Sequence, residues 1–283
     1  MQQSRHRSSS WQRCSLLLFL IACSACQVRC SACAPSTAAP WRAVADGVRY
    51  RSFQLAGVTF HGVGLDVSRV DLQIADARTG NREVAEVNEL VAATHALAGV
   101  NGTFFDDNHR PVGWLVSGGV QLNPIHDTPW FAALVLREDA GHRWLEILPT
   151  EAIRALSPAG RQSVRFAIQV GPRTVVEGEP LKLKSQSAER TAACIVSPTD
   201  LVLIATEGAA VDANWLAWLM ARPEAQGGFG CQSGLMFDGG PSTQLSLRTP
   251  SLNDDVPGGW PVPNAVVAVP RLTLGAPRLQ EQR

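Results

Sequence analysis

The sequence predicts an α+β fold: a single domain with a large, mostly antiparallel sheet and a few packed helices. Many short apolar runs are punctuated by Gly, Pro, Asn and Asp turns. Several pairs of runs flank hairpin-type connections. Helical periodicity is confined to two segments, with no regular βα alternation.

Taken in order, residues 1–34 are not fold. Arg5, Arg7 and Arg13 form a basic n-region before the short apolar stretch Ser15–Ala22, which is the pattern of an export signal. Leu20-Ile21-Ala22-Cys23 resembles a bacterial lipobox, which makes Cys23 the expected lipidation site. The rival is cleavage after Ala34, with Pro35 directly following. The expected location is thus periplasmic or anchored to the outer membrane of a bacterium, with membrane contact only through that lipid. Cys14, Cys23, Cys26, Cys30 and Cys33 have zinc-like spacings, but no histidine follows at finger distance.

The domain is expected over 41–275, with a loose tail at 276–283. Val70–Ile74 alternates cleanly and predicts a half-buried strand. In Glu83–Leu97, apolar residues recur at three and four, which predicts an amphipathic helix. Hairpins are predicted around Ser117-Gly118-Gly119, around Asp139-Ala140-Gly141 and around Ser197–Asp200. Val164–Val170 is a strand that ends at Gly171-Pro172. Val211–Ala221 carries Trp215, Leu216, Trp218 and Leu219 and predicts a buried helix capped by Asp212. Leu235–Phe237 is a buried strand running into Asp238-Gly239-Gly240, and Asn264–Val269 is the last strand. Cys194 and Cys231 are the body's only cysteines, either paired in an oxidising compartment or two buried thiols.

Composition excludes several functions. The 283 residues are 45% hydrophobic, and Lys+Arg equals Asp+Glu at 25 each. With no basic tract, no nucleic-acid surface is expected. His61, His95, His109, His126 and His142 share no metal-ligand spacing, so neither metal nor cofactor is expected. No nucleophile elbow, P-loop or dinucleotide fingerprint is present.

Four polar clusters stand at predicted strand ends: Asn101–Asp106, Gln169–Arg173, Glu189–Thr191 and Asp238–Thr243. Each places a ligand-bonding group beside glycine or at a sharp strand exit. Their order and wording resemble the phosphodiester glycosidase family, whose pattern has N-G-[GT]-[FY]-F-[DN], G-P, R-T and D-G-G-x-S-T blocks. Pro261-Val262-Pro263-Asn264-Ala265 resembles that family's R-P-V-P-N-A ending. The likeness runs over roughly residues 65–270. Two positions depart from it: Thr206-Glu207-Gly208 stands where the family often has D-G-R, and Pro241 replaces a glycine.

The resemblance implies a hydrolase that splits a sugar from a sugar-1-phosphodiester. A phosphate monoester is a weak base, so its departure needs little general-acid help. The reaction needs a cation for the phosphate and a carboxylate to activate water or stabilise positive charge at the anomeric carbon. Arg190 fits the first role through its planar fork, and Asp238 fits the second. Asp106 and Glu207 are the candidate second carboxylates. Asn101, Gly171, Thr191, Gly239, Gly240, Ser242 and Thr243 are the expected substrate-positioning residues. Phe104 and Phe105 read as core rather than as a sugar platform. One alternative is a non-catalytic envelope lipoprotein that binds exopolysaccharide or wall glycan. Another is an ordinary glycosidase, which requires two carboxylates facing one sugar.

Overall fold

The structure is a computed structural model that describes residues 39–271. The expected export signal, Cys23 and the tail at 276–283 lie outside the described residues. All described elements fall within the unit Pro35–Arg283. Among them no helix is long and apolar enough to cross a membrane.

The fold is mostly β. One large sheet was expected, but the strands form sheets of eight, five and five, plus a two-stranded ladder. Every pairing between named strands is antiparallel. The first sheet runs Arg42–Ala45, Val48–Leu55, Val58–Asp66, Asp200–Glu207, Thr191–Ser197, Ser233–Met236, Arg173–Val176 and Glu179–Pro180. The second runs Val120–Asn123, Leu115–Ser117, Val164–Val170, Ala132–Asp139 and His142–Pro149. The third runs Asn253–Val256, Leu245–Arg248, Ala98–Asn101, Asn264–Pro270 and Val70–Asp76.

One apolar cluster joins all three sheets: Leu65 and Leu203 from the first, Leu134 and Ile168 from the second, Val100 and Val266 from the third. Each sheet's outer face carries a second, smaller cluster under a helix. Phe60, Cys194 and Ile204 pack beneath Ala213–Ala221. Ala265 and Val267 pack beneath Val87–Ala93. Ala133 and Val135 pack beneath Thr150–Arg154. Strands apolar on both faces read as continuous runs without alternation, as in Ala192–Ile195.

The predicted helices form, but short. Ala85 is bridged to Val262 as extended chain. The first helix therefore starts only at Val87, with Glu86 and Glu89 forming a reciprocal cap. It stops at Thr94 because Leu97 N–H donates to Ala268 in the third sheet. Asp212 caps Ala213–Ala221 as expected, accepting from Asn214 N–H at 2.9 Å. Trp218, however, is 44% exposed and holds the Arg222 guanidinium 4.8 Å above its ring. All three expected hairpins are present. Cys194 and Cys231 form a disulfide that pins the loop before Ser233–Met236 to the neighbouring strand.

Candidate active site

The three sheets bring their strand ends to one place. Asp238 lies two residues past Ser233–Met236, and Arg190 directly precedes Thr191–Ser197; both strands are in the first sheet. Gly171-Pro172 follows the second-sheet strand Val164–Val170. Asn101 ends the third-sheet strand Ala98–Asn101. A cavity of about 860 Å³ opens there, lined by Phe104, Trp130, Gly171, Pro172, Lys184, Gln186, Arg190, Asp238, Gly239, Gly240 and Pro241, among others. Asp238 is the only carboxylate among the described lining residues.

Burial pushes the Asp238 carboxyl above the usual carboxylate range, while Ser242 and the Gly239 N–H pull it back by bonding the charged form. Gly239 N–H donates to Asp238 Oδ1 at 2.9 Å. Ser242, itself buried, also accepts from the Trp260 indole N–H at 3.0 Å. Trp260 thus holds the Ser242 hydroxyl close to Asp238, where it favours the charged carboxylate.

The glycines shape this turn rather than offering donors to a ligand. A side chain on Gly239 would place its Cβ 2.7 Å from the Glu189 carbonyl oxygen. Gly240 has φ +59° and gives its N–H to that same carbonyl at 2.8 Å. Both N–H groups are thus committed within the protein. Gly171 is also a packing glycine, because a Cβ there would lie 2.6 Å from the Trp130 carbonyl.

Asn101 reaches Asp238 from behind the cavity wall. Its Nδ2 donates to the Asp238 backbone oxygen at 2.8 Å. Its Oδ1 accepts from the Thr191 hydroxyl at 2.6 Å and from Gln244 N–H at 3.1 Å. Asn101 is 1% exposed and does not line the cavity. Asn101 and Thr191, expected to touch substrate, instead tie the first sheet to the third beneath the Asp238 turn. The Thr243 hydroxyl is buried and meets no partner among the described residues.

Arg190 lines the cavity but its fork is occupied. Its Nε donates to the Val211 carbonyl at 3.0 Å, Nη2 donates to the Gln186 carbonyl, and Nη1 lies 3.3 Å from the Met236 sulfur. It makes no ion pair with the described residues. Burial lowers its pKa, and the charge of Asp212 opposes that shift. Arg190 therefore sets a positive charge in the wall while bracing the segment 186–190.

The two candidate second carboxylates lie elsewhere. Asp106 closes its own loop, accepting from Asn108 and Arg110 N–H groups at 2.9 Å each, and these bonds lower its pKa. It lines a separate hollow of about 420 Å³ with Phe105, Asp107, His109 and Trp260. Glu207 Oε2 lies 3.2 Å from His61 Nε2. His61 Nδ1 is 2.7 Å from the Tyr50 hydroxyl, which donates to Asp254. Burial first, and Asp254 next, push that phenol well above its ordinary range.

Phe104 and Phe105 are half-buried and line different hollows; Phe104 also packs against the main apolar cluster, in keeping with the core reading, whereas Phe105 does not belong to it. Phe104 stacks on Phe131 at a centroid distance of 5.6 Å, and Trp130 is 52% exposed at the cavity rim. Trp130 and Lys184 were missed from sequence because they lie in irregular chain away from the four clusters. Among the described residues no group of His, Cys, Asp and Glu could hold a metal ion.

The fold has recognisable relatives. A hypothetical protein from Synechocystis superposes with a TM-score of 0.60 at 14% identity, over 83% of this chain and 64% of its own. This chain thus spans less than two thirds of that relative. The catalytic domain of zebrafish N-acetylglucosamine-1-phosphodiester alpha-N-acetylglucosaminidase, solved auto-inhibited by its pro-peptide, superposes with a TM-score of 0.59 at 16% identity, over 83% of this chain and 87% of its own. No curated protein matches by sequence. The sequence model of the phosphodiester glycosidase family matches residues 94–269, a span holding all four polar clusters and every one of these strand ends, and the chain belongs to that family.

Proposed function

We propose that this protein is an exported hydrolase that cleaves the glycosidic bond of a sugar-1-phosphodiester. Water attacks the anomeric carbon and gives its proton to Asp238. The carbon–oxygen bond breaks, and its electrons leave with the phosphate, so a free sugar and a phosphomonoester are released. One observation carries this reading: among the described residues that line the cavity there is a single carboxylate, Asp238, in company with the cationic groups of Arg190 and Lys184. An alcohol leaving group would call for a second carboxyl as proton donor, and a phosphate does not. That argues against the ordinary-glycosidase alternative. The raised Asp238 carboxyl suits a base, since burial makes the charged form readier to take a proton. Phe104 and Trp130 offer apolar faces to a sugar ring.

The leader at 1–34, with Cys23 as a lipid anchor, is part of the proposal. The test is hydrolysis of UDP-GlcNAc or another GlcNAc-1-phosphodiester in ¹⁸O-water. The label should appear at the sugar's anomeric hydroxyl and be absent from the phosphate. Label in the phosphate would mean phosphorus–oxygen cleavage and refute the mechanism. Binding of the glycan without turnover would instead favour a non-catalytic envelope role.

A further inference from the structure

We propose that Lys184, rather than Arg190, is the cation that contacts the substrate's phosphate, and that the loop 181–186 is a built phosphate-binding arm. The assignment rests on the phosphodiester reading above. The chain contains only two lysines, Lys182 and Lys184, both in this loop; its other basic residues are arginines. Lys184 lines the cavity that Asp238 enters, and Lys182 does not.

The loop's backbone is fixed on either side of Lys184. Leu183 N–H donates to Asn214 Oδ1 at 2.7 Å. The Ser185 hydroxyl and the Gln186 N–H donate to Asp212 Oδ2 at 2.6 and 3.1 Å. Asp212 and Asn214 belong to the N-terminus of the helix Ala213–Ala221, so the loop is clamped to a packed element. Arg190 clamps it again through the Gln186 carbonyl. Between these anchors the Lys184 side chain is exposed and forms no hydrogen bond or ion pair with the described residues.

The division of labour follows from chemistry. With Nε and Nη2 serving carbonyls and Nη1 against the Met236 sulfur, the buried Arg190 guanidinium has lost its side-on fork and is held in place, so it meets a phosphate less freely than an exposed ammonium. An ammonium on a four-carbon stem is a mobile point charge with three donors, and it can follow the phosphomonoester as it leaves. Arg190 then serves as the strut that aims the arm.

The test is titration of the purified exported domain with inorganic phosphate, read by calorimetry at low and high salt. Lys184→Ala should weaken phosphate binding about tenfold, the worth of one charge-assisted hydrogen bond. Lys184→Arg should restore most of it, and Lys182→Ala should leave it unchanged. The wild-type affinity should fall with salt more steeply than that of Lys184→Ala, because an exposed charge is screened. Lys184 is exposed and unbonded, so its removal leaves the fold intact. Phosphate affinity unchanged in Lys184→Ala would overturn the assignment, as would a wild type that binds no phosphate at millimolar concentration. Lys184-dependent phosphate binding without turnover would uphold it while removing the glycosidase reading.

Discussion

Replacing Asn101 by alanine separates a sugar ligand from a structural pin. The wild-type side chain makes three buried bonds, to Thr191, Gln244 and Asp238, at 2.6, 3.1 and 2.8 Å. Each contributes about 1 kcal/mol net, and each partner left buried without a replacement costs about 1–3 kcal/mol. With part of that cost relieved by water, Asn101→Ala should lose about 3–5 kcal/mol of stability. Asn101→Asp should do at least as badly, because its carboxylate would face the Asp238 carbonyl in a buried site. Chemical denaturation of both variants, followed by turnover of the folded fraction, is the assay. The folded fraction should bind substrate nearly normally, since Asn101 does not line the cavity. A variant within about 0.5 kcal/mol of wild type that has lost substrate affinity would refute the reasoning and return Asn101 to the binding site.

Three further outcomes are expected. The Cys194–Cys231 bridge closes a separation of 37 residues, worth about 4 kcal/mol on the chain-entropy estimate, so the double alanine variant should melt roughly 8–16 °C lower in a thermal scan. The Ser242 hydroxyl bonds the charged form of Asp238, so Ser242→Ala should raise the carboxyl's pKa further and move the acid limb of the pH–rate profile to higher pH. A limb that stays put or moves down would show that Asp238 is not the group titrating. Asp238 is held above its unfolded pKa, so its ionisation opposes folding as pH rises through that range. Asp238→Asn should therefore be no less stable than wild type at neutral pH in the same thermal scan.

The sequence carried the site's location better than its division of labour. Leu235–Phe237 running into Asp238-Gly239-Gly240 was legible because a buried strand must stop where such a turn begins. Asn101 and Arg190 were legible as strand-end polar groups, but their roles were not. A buried amide or guanidinium can serve backbone carbonyls as readily as a ligand, and only the partners distinguish the two. Glu207 sits at a strand end beside the first sheet's Thr206, yet its carboxylate meets His61 on the far side of that ladder from Arg190's partner Thr206. One-residue alternation along a strand decides this, and it is invisible when both faces are buried. The same two-sided burial hid the split into three sheets, since Ala192 and Ala193 on one strand pack into different clusters. Lys184 lies in a stretch without regular secondary structure, where its apolar–charged alternation is too short to stand out and only the rarity of lysine in this chain marks it.

The central claim is that Asp238 performs the chemistry in a cavity otherwise built to hold an anion. Steady-state hydrolysis of a GlcNAc-1-phosphodiester by Asp238→Asn tests it most directly, because the amide keeps the turn's backbone bonds and removes only the base. The turnover number should fall by about 10²–10⁴-fold. Turnover within a few-fold of the wild-type value would contradict the account.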